Sequence, residues 1–332
     1  YCEVVLSNMF PGAVGKDGVL GGPMVYLQKV PGGRALAIAY AFFCLMLSFF
    51  SGNAMQCNSV RIALQRVINI DKSLVAFILF GFVIYVMLGG AKRIIYLSER
   101  IVPIKVGLFF LSAIIIIAYN YAGIFDALKL IVTSAFGYEP LIGGAVGYSM
   151  IEALRYGVSL PLNATEAGLG TAAILFGSTG SKSPVEDGIM SMVSAFISNY
   201  LVCFVLAFSF VLTGVWNSGL PSIAITVASY ETVFGAFGGL IVTFLSVAFG
   251  IGVLVSYVFI ARECWSFLTG GRWLVPFAVI YCLFALGGTV LEAKVVWNFI
   301  NVVNAGLLAI NLYAIVMLLP RIAKDLKAYE KK

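Results

Sequence analysis

The chain has 332 residues, 61% of them hydrophobic and only 11% charged, with a mean hydropathy of +1.02. Soluble domains carry roughly 25% charged residues, so the composition is that of an integral membrane protein with several spans. The net charge of +6 sits in short links and in the tail, where it marks topology and gives no reason to expect a nucleic-acid partner.

The chain begins at Tyr1, and Cys2-Glu3-Val4-Val5-Leu6 reads as the tail of a helix, so further helices are expected upstream. A Gly-rich loop covers 11–33. The first full span is predicted at 35–59 and the second at 73–90, stopping at Gly89-Gly90. A charged elbow from Lys92 to Arg100 leads to a third span at 101–120. Residues 124–136 place Ile124, Phe125, Leu128, Ile131 and Val132 on one face, as in an interfacial amphipathic helix. The stretch 143–175 is too long for one regular helix, and Pro161 together with three glycines predicts a break within 157–170. After a polar loop at 178–187, spans follow at 187–214, 236–262, 273–290 and 294–320, then a basic tail. The whole is one transmembrane domain over 1–332, with about eight full spans of about 20 residues or more each. Alternating the spans puts Lys29, Arg34, Lys105, Arg262, Arg272 and the tail on one face. The other face holds Arg61, Arg66, Lys72, Lys129 and Lys294, so the positive-inside rule makes the tail cytoplasmic.

Polar groups inside a membrane need a partner or a task. With no histidine in the chain, Ser-His-Asp chemistry and His-ligated metals or haem are excluded. The six cysteines show no Cys-x-x-Cys spacing and read as small buried hydrophobes. No nucleophile–base pair or metal cluster is visible, so neither an enzyme, a metal site nor a cofactor is expected.

Asn53-x-x-Gln56-x-Asn58, at the end of a span, offers uncharged donors and acceptors suited to a zwitterion such as a free amino acid; helix-to-helix hydrogen bonding is the competing role. A broken membrane helix frees backbone N–H and C=O groups that are tolerated only against protein or a cavity. Gly157 and Thr165 are therefore candidate substrate contacts, and Tyr257 a candidate wall of the pocket. Glu152 and Glu166 are candidates for proton or cation coupling, with Ser256 beside Tyr257 as a third. Glu152 also stands three residues before Arg155, at ion-pair spacing. Asn298, Asn301, Asn304 and Asn311 share a face of the last span, which must point into the bundle.

These stretches resemble the alanine/glycine:cation symporters, also called the sodium:alanine symporter family. The matching pieces are Tyr1-x-Glu3-x-Val5-Leu6, Gly21-Gly22-Pro23-Met24-x-Tyr26, Gly52-Asn53-x-x-Gln56-x-Asn58-Ser59, Gly89-Gly90-x-Lys92-Arg93-Ile94, Arg155-Tyr156-Gly157-Val158 and Glu166-Ala167-Gly168-Leu169-Gly170. The resemblance implies an all-α polytopic membrane protein with a LeuT-like inverted-repeat transporter fold lacking its first helices. It also implies Na+ as a coupling ion. Against the family pattern, a Ser-Thr pair of the 236–262 helix, expected to serve a sodium site, is Gly252-Val253 here. The function so implied is import of a small neutral amino acid, alanine or glycine, coupled to Na+ or H+ across the cell membrane. The second reading is a diverged transporter-like protein that binds amino acid as a sensor or subunit. The partners expected are therefore a small amino acid, a coupling cation and the lipid bilayer.

Overall fold

The computed structural model describes residues 1–332 apart from 13, 16–17, 20, 68–70, 137–144, 178–182, 221–222, 290–292 and 330–332. Parts of the predicted loops at 11–33 and 178–187 thus lie outside the described residues. The rest is almost entirely helical, as a chain must be whose backbone groups cannot turn to water.

Helix α1 (Cys2–Met9) is followed by a small antiparallel pairing of β1 (Val14–Gly15) with β2 (Gly18–Val19) and by the short α2 (Pro23–Tyr26). α3 (Gly33–Phe49) runs into a π-helical turn, Phe50–Ala54, and continues as α4 (Met55–Val67). α5 (Lys72–Tyr119) starts from Asp71, whose side chain accepts the Ser73 N–H at 2.7 Å. α6 is Ile124–Phe136, α7 Ala145–Thr165 and α8 Thr171–Gly177. α9 (Pro184–Phe196) passes through a second π-helical turn, Ile197–Cys203, into α10 (Phe204–Leu212). The chain closes with α11 (Ile223–Phe234), α12 (Ala236–Thr269), α13 (Leu274–Gly288) and α14 (Ala293–Tyr329).

Among the described residues, five helical stretches are long and apolar enough to cross a bilayer: 33–65, 99–119, 184–212, 236–269 and 296–327. Shorter apolar helices occupy 73–87, 223–234 and 274–288. Each of the predicted spans overlaps a helix, and the helix at 124–136 leaves Phe125 and Val132 exposed. Three features differ from the sequence reading. The elbow expected after Gly89-Gly90 is helical, so α5 is continuous. α11 fills a stretch that had been assigned to no span. The break expected within 157–170 is present at 166–170, but Pro161 lies inside α7 and is not where the helix is interrupted.

α12 is the central post. It packs on α3, α4, α5 and α11, and its buried side chains run from Gly238 to Cys264. The main core joins α1, α3, α8, α12, α13 and α14. Phe49 stacks on Phe284 at 4.9 Å between ring centroids and meets Tyr281 edge-on at 5.8 Å, fixing α3 against α13. A second, smaller core of Phe109, Ile116, Val227, Tyr230, Val242 and Leu245 ties α5 and α11 to the far side of α12.

Candidate functional site

The break between α7 and α8 is built by three residues with left-handed backbone: Glu166 (φ 53°), Gly168 (φ 80°) and Gly170 (φ 86°). Glycine adopts this region without cost, whereas Glu166 has a Cβ and is held there by its surroundings. A proline removes only one donor, and the structure absorbs that loss within α7; three left-handed residues in five end the helix.

The groups freed by the break find side-chain partners from helices far away in sequence. Tyr40 of α3 donates its hydroxyl to the Leu169 carbonyl at 2.7 Å. The Asn311 amide of α14 donates to the Gly168 carbonyl at 2.8 Å and to the Glu3 carboxylate at 3.1 Å. Glu3 of α1 also accepts the Gly170 N–H at 3.1 Å, and Tyr26 donates to Asn311 Oδ1. Deeper in α8, Ser7 donates to the Ala173 carbonyl at 2.7 Å while accepting the Gly22 N–H at 2.7 Å. Glu3, Ser7, Tyr26, Tyr40 and Asn311 are all buried. This is the pairing that buried polar groups require.

Glu166 stands at the start of this knot. Its Oε2 accepts the Thr171 hydroxyl at 2.5 Å, and its Oε1 accepts the Tyr257 hydroxyl of α12. Tyr257 in turn rests on the π-helical turn at Gly52. A Cβ on Gly52 would stand 2.0 Å from the Tyr257 Cγ, closer than any real contact, so only glycine permits this approach. One carboxylate is therefore held by a hydroxyl on each side, at the point where a helix is interrupted and against the central post. Such a group can exchange a proton or meet an ammonium.

The structure brings three of the sequence candidates into one neighbourhood: Glu166, Tyr257 and Thr165. Thr165 ends α7, donating to the Pro161 carbonyl at 2.8 Å and accepting the Ala167 N–H at 3.3 Å. Ser256 neighbours Tyr257 in sequence but donates to its own helix, to the Gly252 carbonyl at 3.1 Å. Asn53 is fully buried and donates to the Tyr281 carbonyl at 2.6 Å, and Asn58 donates to the Gly288 carbonyl at 2.9 Å. These amides join the α3–α4 unit to α13. Gln56 donates to the Ser51 carbonyl at 3.2 Å. Gly157 is exposed on α7 with open space around it. Glu152 pairs with Arg155 at 3.3 Å, away from the break.

The asparagine face of α14 does turn inward. Asn304 donates to Asn163 Oδ1 at 2.6 Å, Asn163 donates to Asn301 at 3.4 Å, and Asn311 enters the knot; Asn298 alone is exposed. The buried Oδ1 of Asn304 has no hydrogen-bond partner among the described residues. Asn163, to which Asn304 donates, stands three residues before Glu166 in the sequence. Sequence reasoning missed Glu3, Tyr26, Tyr40 and Thr171. Glu3 carried a signal, since a carboxylate inside an apolar run is costly; the two tyrosines look like ordinary packing residues until their partners are known. Lys105, expected among the basic residues of the cytoplasmic face, is buried against α12.

The sequence profile described as the sodium:alanine symporter family matches residues 1–332. A Haemophilus influenzae protein named as an uncharacterized transporter is 33% identical over 335 residues, covering 99% of this chain and 73% of its own. A sodium/alanine symporter, AgcS, of Methanococcus maripaludis is 28% identical over 100% of this chain and 74% of its own. A probable sodium/glutamine symporter, GlnT, of Bacillus subtilis is 25% identical over 96% of this chain and 66% of its own.

Proposed function

This chain belongs to the sodium:alanine symporter family, and from that premise we propose that it is a secondary active transporter importing a small neutral amino acid, alanine or glycine, coupled to a cation gradient. The observation that carries the reading is the interrupted helix at Glu166–Gly170, with its carboxylate held by Thr171 and Tyr257. Half-helix ends and unwound backbone are where substrates of such transporters bind. In this reading the substrate ammonium meets Glu166 and the open Asn304 Oδ1. The substrate carboxylate meets N–H groups that the break frees, in exchange for the contacts that hold them in this state. Tyr257 bounds the pocket, Thr165 lines its α7 side, and Asn53 fixes the turn behind Tyr257. The basic end of α14, with Arg321, Lys324 and Lys327, faces the cytoplasm under the positive-inside rule.

The test is uptake of labelled alanine and glycine into liposomes containing the chain, under a Na+ gradient and separately under a pH gradient. Uptake driven by either gradient, lost in Glu166→Gln at unchanged folding, is the expected outcome. A specific observation favours one second reading. The described groups of the break are already tied to protein side chains, a closed arrangement that also suits an amino-acid sensor or subunit. Alanine binding to folded protein with no uptake under either gradient would select it.

A further inference from the structure

The second, smaller core walls a cavity of about 260 Å³ between α5, the turn leading into α10, α11 and α12. Phe109, Leu206, Ile223, Val242, Leu245 and Phe249 line it. Two of its polar wall groups are tied up: Ser246 donates to the Val242 carbonyl at 2.7 Å, and the Tyr230 hydroxyl meets that of Ser112 at 3.2 Å. Beside the wall residues Val202 and Leu206, Leu201 and Phe204 are exposed on a membrane-crossing stretch, so in a bilayer this side is turned to acyl chains. The Lys105 ammonium stands one turn from the cavity on both of its long walls. On α5, Phe109 follows Lys105 by four residues; on α12, Gly252 follows Phe249 by three, and a Cβ on Gly252 would stand 2.3 Å from Nζ. Such spacings keep to one helix face. The ammonium lies over the Phe249 ring, 4.8 Å from the centroid, so this ring serves both the cavity and the cation. Lys105 is only 8% exposed, and among the described residues its ammonium has no hydrogen-bond or ion-pair partner. A charged side chain inside the membrane without a counter-ion is costly and marks a working position.

We propose that cavity and lysine together form a binding site for a single-chain carboxylate amphiphile, a free fatty acid, with its carboxylate on the Lys105 ammonium and its chain along Phe249, Phe109 and Leu245. One ammonium is matched by one carboxylate, and the pairing removes the cost of an uncompensated buried charge. From Gly252 to Val242 the α12 wall rises about 15 Å, the length of an extended chain of about a dozen carbons. The cavity offers that chain apolar and aromatic walls and no second groove for a second chain. Depth separates a free fatty acid from a phospholipid. At about 1.5 Å per residue, Lys105 lies about 9 Å inside the Glu99 end of its membrane-crossing stretch, whereas phospholipid head groups stay outside the ~30 Å hydrocarbon core. A carboxylate carrying one chain can descend to the ammonium; a phosphate tied through glycerol to two chains stays above it. Once occupied, the site joins α5 and α11 to the central post through one ligand. Such a site would exist whether or not the chain transports amino acids.

The experiment uses the purified chain in phosphatidylcholine nanodiscs, with labelled laurate as the probe and thermal unfolding as a second readout. Wild type is expected to bind one laurate per chain and to melt several degrees higher with it. Dodecanol, which has the chain without the charge, and acetate, which has the charge without the chain, are expected to leave the melt unchanged. Lys105→Met should weaken laurate binding by about tenfold or more. Leu245→Trp, which fills the cavity and keeps the lysine, should weaken it as much, and Val202→Phe fills the cavity from another wall if the tryptophan variant does not fold. Folded wild type that binds no laurate overturns the proposal, as does laurate binding unchanged in Lys105→Met or in the folded cavity-filling variant. An equal rise with dodecanol would leave an apolar cavity without a role for the lysine and overturns it too. An equal rise with phosphatidylglycerol added to the nanodisc in place of laurate would make the occupant a bilayer phospholipid and overturns the assignment to a free fatty acid.

Discussion

Replacing Gly52 with alanine tests the link between the π-helical turn and the Glu166 carboxylate. The added Cβ would stand 2.0 Å from the Tyr257 Cγ, 2.3 Å from Cδ1 and 2.4 Å from its Cβ. Ordinary carbon contacts are about 3.5–4.0 Å, so turn and tyrosine must part by roughly 1.5–2 Å. The tyrosine cannot swing aside, because the clash reaches its own Cβ; the shift falls on the packing of the turn against α12. Overpacking of this kind costs about 1–3 kcal/mol. The same displacement carries the Tyr257 hydroxyl out of reach of Glu166, but a hydrogen bond between membrane helices contributes only about 0.6 kcal/mol. Packing therefore dominates stability. Tyr257→Phe, which removes the hydroxyl alone, should melt close to wild type, while Gly52→Ala should melt clearly below both. Both variants should lose alanine uptake, since both release one side of the carboxylate. The assays are thermal unfolding in detergent and uptake into liposomes. A Gly52→Ala protein that melts with wild type, or that melts no lower than Tyr257→Phe, would refute the reasoning.

The remaining predictions concern residues the sequence singled out and the structure places elsewhere. Asn53→Leu removes the donor to the Tyr281 carbonyl; it should lower stability by about 0.6–2 kcal/mol and reduce the amount of folded protein, with the alanine KM of the folded fraction unchanged. A large rise in KM at normal stability would instead make Asn53 a substrate contact. Glu152→Gln breaks a half-exposed pair with Arg155 on one helix face; it should change stability by no more than about 0.5 kcal/mol and leave uptake under either gradient intact. Loss of gradient-driven uptake in that variant would return the coupling role to Glu152.

Much of the helical plan was legible because the bilayer dictates it. A span must be apolar over a set length, and α3, α12 and α14 are. α11 escaped notice because 12 residues are too few to announce a span, and its partners Val242 and Leu245 belong to the next helix. Pro161 drew attention as a breaker, yet backbone handedness, not the missing donor, makes the break. Glycines at 168 and 170 hinted at this, while the left-handed Glu166 could not be read from its side chain. The carboxylate itself was legible, since Glu166 stands in an apolar, glycine-rich run. Its setting was not: Glu3 meets Asn311 across 308 positions of chain, and no local pattern encodes such a meeting. The amides of Asn53 and Asn58 illustrate the converse. Their chemistry suits a ligand, but a backbone carbonyl of α13 asks for the same donors.

The two sides of the interrupted helix are anchored very unequally. α8 is clasped by α1 and touches α12, and its Thr171, Ala173, Ile174 and Gly177 are buried. On α7, by contrast, Ile151, Leu154, Tyr156, Val158 and Leu160 are all turned outward, while Leu162 packs on the main core, the asparagine cluster ties it to α14, and the π-helical turn at 197–203 lies against it. The joint between them thus resembles the fulcrum of a lever with one arm clamped and the other, among the described residues, held at fewer points. Tilting α7 forfeits little packing, whereas moving α8 would drag α1 and the Gly21–Gly22 segment with it. A load applied at the α7 end is therefore delivered, through Glu166, to the Tyr257 side of the central post.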